Sequence, residues 1–269
     1  MVPSVSIIIP AYNESTRLGR TMGELSSYLE ANPTVELLVA DDGSTDSTAD
    51  LAESLLPPGC KARWQVLRQV ENRGKGHAVR RGMLAARAPV AVFSDADLST
   101  PLSELPKLVD RVTRGTCDIA FGSRALDRRL IETKQPLYRD FAGRMFNTAL
   151  RLATGLPFHD TQCGFKAFRM SACRPLFESS TIDGFGFDIE LLFVAHRAGL
   201  RLHEVPVRWH HEDGSKVRLS RDGPRMLADI VAVRRQMWRG HYNVAMIEAT
   251  SSLSERKWAA GATPATLHS

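Results

Sequence analysis

The 269-residue sequence predicts an α/β protein of one domain, with a mostly parallel central sheet flanked by helices. Short β-branched runs alternate with segments of helical hydrophobic spacing, which is the pattern of parallel strands joined by crossover helices. Such strands form a sheet that is covered on both faces. The apolar fraction of 43% is enough for a well-packed core, and no internal repeat or linker divides the chain.

Four strands are predicted in the first hundred residues, and three of them lead into helices. VSIIIP is the first strand, and TRLGRTMGELSSYLEA follows with apolar residues every three or four positions. VELLVAD continues through an acidic turn into a helix that begins among capping residues. RWQVLRQV precedes a Gly-rich turn and helix, NRGKGHAVRRGMLAA, and APVAVFS is the fourth strand.

The second half is predicted to continue with helices and shorter strands. LSELPKLVDRVTRG is helical, CDIAFGSRAL is a strand, and residues 127–156 are a basic loop followed by a helix. CGFKAFRM, FGFDIELLFVAHRAG and LHEVPVRWHH are predicted as strand, helix and strand.

The predicted domain ends with an amphipathic helix from Pro224 to Trp238. Its apolar stripe consists of Met226, Ile230, Val233 and Met237. The stripe either packs on the core or lies in a membrane interface. Beyond about Ala249 the composition turns to Ser, Thr, Ala and Gly, which predicts disorder, and the domain is predicted at 1–240 with a disordered tail at 241–269.

Composition and charge limit the class of protein without identifying it. The formal charge of +5 and the pI of about 9.2 favour contact with an anion. The four cysteines lack the spacing of a zinc site or a disulfide scaffold, which favours a reducing compartment. No signal peptide or membrane span is recognised, so a cytoplasmic location is expected.

Polar residues, most of them acidic, follow the predicted strands, where an open parallel sheet binds its ligands. They are Tyr12, Asn13, Glu14, Asp41, Asp42, Asp95, Asp97 and Arg124. Carboxylates from successive strand ends repel one another unless a cation offsets their charge, and hard oxygen ligands suit Mg²⁺ or Mn²⁺. Asp95 and Asp97 are therefore predicted to form a metal and diphosphate site. The alternative is that these aspartates are only turn and capping residues.

The segment NRGKGHA is a second candidate for phosphate binding. It does not satisfy the Walker pattern, because Gln69 stands in the place of the first glycine. A Gly-rich turn at a helix N-terminus still attracts phosphate, so Lys75 is predicted to lie on the nucleotide side of the site. A plain flexible turn is the alternative.

Five motifs taken in order resemble the family 2 glycosyltransferases, which have the GT-A fold. They are IIIPAYNE, ADDGSTDST, NRGKGHAVRRGM, SDADLS and FGSR. Downstream, DTQCGFKAFR, FGFDIELLFVAHRAGLRLHEVPVRW and DGSK resemble the branch that glycosylates polyprenyl phosphates, especially the dolichyl-phosphate β-glucosyltransferases. The resemblance covers roughly residues 5–239.

The resemblance implies a nucleotide-sugar half, residues 1–100, and an acceptor half, residues 101–240. In the first half it implies that Pro10, Tyr12 and Glu14 hold the base and ribose, with Asp42 beside the base. It also implies that Asp95 and Ala96 meet the ribose and diphosphate and that Asp97 is the main metal ligand. In the second half it implies phosphate or sugar contacts for Arg124 and Arg139, an acceptor-side role for Lys216, and for Asp188 the role of a base or of a group that orients cations. Asp188 is otherwise explained as an acid at a helix N-terminus.

The implied activity is inverting transfer of a hexose, with glucose favoured, from a nucleotide diphosphate sugar such as UDP-glucose to a polyprenyl phosphate. A phosphate acceptor is already largely dianionic at neutral pH, so a protein base is not required. The alternatives are GDP-mannose as donor and a soluble or polysaccharide acceptor. Nucleic-acid binding is disfavoured, because a nucleic-acid binder does not need carboxylates at three strand ends, which repel phosphate unless a metal intervenes. The eukaryotic glucosyltransferases that the sequence resembles carry an N-terminal membrane anchor, and none is recognised here, so any membrane contact is expected to be peripheral.

Overall fold

Seven strands form the central sheet of the computed structural model, which describes residues 3–56, 61–133, 137–212 and 219–259. The seven strands are β1 (Val5–Ala11), β2 (Val35–Asp41), β3 (Arg63–Arg68), β4 (Val90–Ser94), β5 (Ile119–Ser123), β7 (Phe165–Arg169) and β8 (Leu202–Pro206). Their order across the sheet is β3-β2-β1-β4-β7-β5-β8.

One strand runs against the others. β7 is antiparallel to both of its neighbours, β4 and β5, whereas the remaining strand pairs are parallel. The prediction of a mostly parallel sheet is confirmed. The predicted last strand is divided, because residues after β8 form β9 (Trp209–His210), which pairs with β6 (Ile131–Thr133) in a separate two-stranded sheet.

Helices cover both faces of the sheet. They are α1 (Ser15–Ala31), α2 (Thr48–Ser54), α3 (Lys75–Ala85), α4 (Leu105–Thr113), α5 (Leu137–Thr154), α6 (Met170–Ser179), α7 (Phe187–Arg197), α8 (Leu219–Trp238) and α9 (Val244–Ala259). Alternate residues of β1 belong to two different apolar clusters, with Ile7 and Ile9 in one and Ile8 in the other. The first cluster includes residues of α1, α2 and α4, and the second includes residues of α3, α6, α7 and α9. This is the packing expected of strands buried on both faces.

A third, smaller cluster joins α5 to α8. Met226 and Ile230 of α8 are buried there against Leu150 and Ile189. The stripe identified from the sequence therefore packs on the protein. A different set of apolar side chains on α8 is left exposed, including Val231 and Trp238.

The structure corrects the prediction of a disordered tail over residues 241–259. Ile247 of α9 is 1% exposed, and Tyr242, just before this helix, is 2% exposed. The Tyr242 hydroxyl donates a hydrogen bond of 2.6 Å to Oε1 of buried Glu190. Composition alone does not predict this helix, because a few well-spaced apolar residues among Ser, Thr and Ala are enough to pack it on the core. Residues 260–269 lie outside the described residues.

Candidate active site

A cleft of about 1230 Å³ opens beyond the carboxyl ends of β1, β2 and β4. This is the side of an open α/β sheet on which ligands bind. Eight residues singled out from the sequence line it together: Pro10, Tyr12, Glu14, Asp42, Lys75, Asp95, Ala96 and Asp97. Residues 181–185 and several residues of α8 also line it.

Asp95 is fixed immediately after β4. Its backbone N–H donates to the carbonyl of Gly164 at 3.0 Å. A Cβ atom at position 164 would overlap the Asp95 carboxylate, so glycine at this position leaves room for the carboxylate where it lies. The carboxylate itself is paired with a cation, because Oδ1 lies 2.5 Å from Nζ of Lys75.

Lys75 opens α3 and brings positive charge to the floor of the cleft. Burial lowers the pKa of the Lys75 ammonium, but the carboxylates of Asp95 and Asp188 more than offset this, and the pKa is raised overall. Lys75 therefore remains charged, consistent with its predicted place near phosphate.

Asp97 is the second carboxylate of the pair. Its Oδ1 accepts a hydrogen bond of 3.0 Å from the backbone N–H of Ser99. Burial, and then the negative charge of Asp95, raise the pKa of Asp97. A group whose ionised form is disfavoured in this way gains from a cation placed beside it.

The two carboxylates fit a hard divalent cation in their chemistry. Their oxygen atoms are suitable metal ligands, and their negative charges repel each other at the mouth of the cleft. Lys75 forms an ion pair with only one of them, Asp95. No group of three or more His, Cys, Asp or Glu side chains among the described residues is placed to hold a metal ion. An ion bound here would therefore take its remaining ligands from substrate and water, as Mg²⁺ commonly does.

Asp42 orders the loop that precedes Lys75. Its Oδ2 accepts hydrogen bonds from Asn72 Nδ2 at 2.8 Å and from the backbone N–H of Gly74 at 2.6 Å. Gly74 has a φ of 119°, and a Cβ there would collide with the carbonyl of Asp183. Burial raises the pKa of Asp42 more than the backbone hydrogen bonds from Gly74 and Arg73 lower it. Asp42 thus shapes the cleft wall in addition to lining it.

Arg124 and Asp188 are not among the residues that line this cleft, and each forms an ion pair with a buried side chain. Arg124 Nε lies 2.7 Å from Oδ2 of Asp160, and Arg124 Nη2 donates to Oδ1 of Asp160 at 2.9 Å. Asp188 Oδ1 lies 2.5 Å from Nζ of Lys166, a side chain with no exposed surface. Burial raises the pKa of Asp188 in spite of the cations of Lys166 and Lys75.

The two remaining predicted site residues cannot be placed. Arg139 belongs to α5, but its side chain lies outside the described residues. Lys216 also lies outside the described residues.

The structure adds cleft residues that the sequence analysis did not identify. They include Arg17, Arg73, Asp183, Arg225 and Asp229. A signal for the last two was available in the amphipathic helix, where they lie away from the buried stripe. The signal could not be used, because the pattern alone does not show which polar face meets a cleft.

The chain is similar in sequence to proteins of known family. The family model "Glycosyl transferase family 2" matches residues 6–177. Dolichyl-phosphate beta-glucosyltransferase of Saccharomyces cerevisiae is 32% identical over 257 residues, covering 88% of this chain and 76% of the yeast protein. The Drosophila melanogaster protein of the same name is 38% identical over 225 residues, covering 79% of this chain and 69% of its own length.

Among solved structures, glucosyl-3-phosphoglycerate synthase from Mycobacterium tuberculosis has a similar fold. Its complex with Mn²⁺, UDP-glucose and phosphoglyceric acid superposes with a TM-score of 0.58 at 22% identity. The match covers 86% of this chain and 78% of that one. At this identity the likeness concerns the fold.

Proposed function

Because the chain belongs to glycosyl transferase family 2 and has its GT-A fold, we propose that it transfers glucose from UDP-glucose to a polyprenyl phosphate. The observation that carries the proposal is the cleft in which Asp95, Asp97 and Lys75 meet at the strand ends. Ligand pockets commonly measure about 300–1,000 Å³, so this cleft has room for a nucleotide sugar and an acceptor head group. The acceptor class is supported by relatives named dolichyl-phosphate beta-glucosyltransferase that match most of the chain.

Asp95 and Asp97 are proposed to hold a divalent cation, Mg²⁺ or Mn²⁺. When bound, such an ion stabilises the charge that develops on a leaving diphosphate. Lys75 holds the Asp95 carboxylate in place and adds positive charge next to it. Asp42 holds the loop of residues 72–74 that forms the adjacent wall.

The proposed transfer needs no proton acceptor on the protein. An oxygen of the acceptor phosphate forms a bond to the anomeric carbon, and the bond from that carbon to the diphosphate oxygen breaks. The electron pair leaves with UDP, and attack from the opposite face inverts the anomeric centre. Since the acceptor is already anionic near neutral pH, the commitment of the Asp188 carboxylate to Lys166 is compatible with this chemistry.

Because the proposed acceptor is a membrane lipid, the enzyme is proposed to work at a membrane surface, on the cytoplasmic face. No helix among the described residues has both the length and the hydropathy that a membrane span requires. The glucosyltransferase names of the relatives give no support to GDP-mannose as the donor.

The test is transfer of radiolabel from UDP-glucose and from GDP-mannose to a polyprenyl phosphate, with Mg²⁺ or Mn²⁺ and with a chelator. We expect a glucolipid that requires metal, a loss of about 10²-fold or more in Asp97→Ala, and little change in the control Asp110→Ala on the outer surface of α4. Hydrolysis of UDP-glucose without lipid product would point to a soluble acceptor. Absence of binding and turnover with both donors would refute the proposed function.

A further inference from the structure

The basic side chains of the cleft differ in whether their charge is already neutralised. Within the described part of the chain, four of them line the cleft. Arg17 pairs with Glu14 at 2.6 Å, Arg73 with Asp183 at 3.0 Å and Lys75 with Asp95 at 2.5 Å.

Arg225, the fourth, has an exposed side chain that forms no ion pair or hydrogen bond with any described residue. A guanidinium that faces a cleft without a carboxylate partner is suited to bind an anion, and its planar fork matches phosphate. Arg225 is therefore a candidate for binding a phosphate group of a substrate.

An apolar path leads away from Arg225 along the surface of α8. Arg225, Ala228 and Val231 follow at intervals of three residues, so each is a neighbour of the next on the helix surface. The first two line the cleft, and Val231 is 67% exposed. Around the axis of α8, Leu227 and Trp238 lie within about 40° of Val231. Trp238 is 88% exposed.

The neighbouring helix α5 carries a second exposed stripe with the same spacing. Phe141, Met145 and Leu152 are 64%, 58% and 82% exposed. The third apolar cluster joins the two helices, and Nη1 of Arg234 on α8 donates to the carbonyl of Ala153 on α5 at 2.8 Å. Six of the eleven large apolar side chains that are exposed among the described residues thus lie on these two packed helices, and grouped apolar side chains are typical of surfaces that meet a membrane or another molecule.

We propose that α8 forms the acceptor subsite, in which Arg225 binds the phosphate and the stripe of Leu227, Val231 and Trp238 receives the polyprenyl chain. This inference rests on the proposed function and specifies its acceptor. A free phosphate would use only Arg225, whereas a polyprenyl phosphate uses the cation and the apolar path that starts beside it. Trp238 lies two turns beyond Val231, past the exposed side chain of Arg235, where the lipid leaves the protein for the membrane.

The first experiment compares Arg225→Gln, Arg225→Lys and the matched control Arg197→Gln, whose arginine is exposed on α7. With a short polyprenyl phosphate in detergent, we expect the acceptor KM of Arg225→Gln to rise about 10- to 100-fold. We expect a smaller rise in Arg225→Lys, because lysine keeps the charge but not the fork. The KM for UDP-glucose should stay within about twofold. A rise in the KM for UDP-glucose with an unchanged acceptor KM would assign Arg225 to the donor diphosphate and overturn the proposal.

The second experiment tests the apolar path with Val231→Asn and the matched control Val70→Asn, which replaces a valine that is 96% exposed. The acceptor KM should rise roughly 5- to 10-fold for a long-chain acceptor in Val231→Asn, and less for a chain of one or two isoprene units. Brominated lipid in vesicles that contain polyprenyl phosphate should quench the fluorescence of wild type more than that of Trp238→Phe. Equal quenching, or equal acceptor KM in Val231→Asn and its control, would overturn the apolar path.

The proposed function and the proposed acceptor subsite can be refuted separately. Wild-type turnover of UDP-glucose without lipid product would overturn the proposed function and this subsite with it. Lipid product from wild type with unchanged kinetics in the Arg225 and Val231 variants would overturn the subsite alone.

Discussion

At the scale of single residues, the contacts of Asp188 show whether its carboxylate has a structural or a catalytic role. Its carboxylate is buried against Lys166, whose Nζ also donates to the carbonyl of Cys163 at 2.6 Å. A buried ammonium that loses its carboxylate is costly, because no water replaces the lost partner. The contacts of Asp188 therefore indicate a stabilising role.

We expect Asp188→Asn to lower the free energy of unfolding by about 3–5 kcal/mol, since it leaves the Lys166 charge unpaired. Urea unfolding at pH 7 measures this, with Asp110→Asn, a surface control, within about 0.5 kcal/mol of wild type. The kcat of the folded variant should fall less than about tenfold, whereas loss of a general base removes roughly 10²- to 10⁴-fold. A variant of normal stability with a kcat reduced by that larger factor would contradict the structural role.

The residues that the sequence could predict are those that directly follow a strand. Asp42, Asp95 and Asp97 follow apolar runs, and in a parallel sheet the ends of such runs meet at one edge. The partners of Arg124 and Asp188 could not be predicted, because Asp160 and Lys166 reach them only through the tertiary fold.

At the scale of elements, short local patterns in the sequence predicted the strands of the nucleotide side, whereas composition wrongly predicted a disordered tail in place of α9. Each strand of the nucleotide side was recognisable from a β-branched run, and β7 was recognisable as a strand but not as an antiparallel one. Strand direction depends on which neighbour a strand finds, and no local pattern encodes this. Helix α9 was missed because its docking depends on few residues.

Ile247 tests whether α9 is a packed element. We expect Ile247→Ala to cost about 2–4 kcal/mol of unfolding free energy, because a buried isoleucine would leave a cavity in the second apolar cluster. Met246→Ala is the adjacent control, since Met246 is 51% exposed and should cost much less. Equal and small losses in the two variants, measured by urea unfolding, would mean that α9 is not docked in solution.

At the scale of the whole molecule, the cleft unites distant parts of the chain. Its lining runs from Pro10 to Asp229 and includes residues from both predicted halves. A ligand that binds this cleft therefore stabilises the whole fold by linkage, in proportion to its concentration relative to Kd.

UDP together with Mg²⁺ or Mn²⁺ should stabilise the protein by about 2.7 kcal/mol at a concentration 100 times Kd. The rise in Tm in a thermal unfolding experiment should shrink when a chelator is added. In Asp97→Ala, the part of the rise that depends on metal should disappear, because one of the two proposed ligands is missing. A rise that is identical with and without chelator would argue against a metal ion between protein and diphosphate.

The place of β7 in the sheet also matters while the protein is being synthesised. β4 ends at Ser94, but the strand that covers its free edge, β7, begins only at Phe165. A nascent chain that has emerged from the ribosome past β4 presents an uncovered, apolar strand edge until β7 follows, and such edges recruit other chains. The synthesis of residues 95–164 should therefore be the stage at which the nascent chain depends most on chaperones.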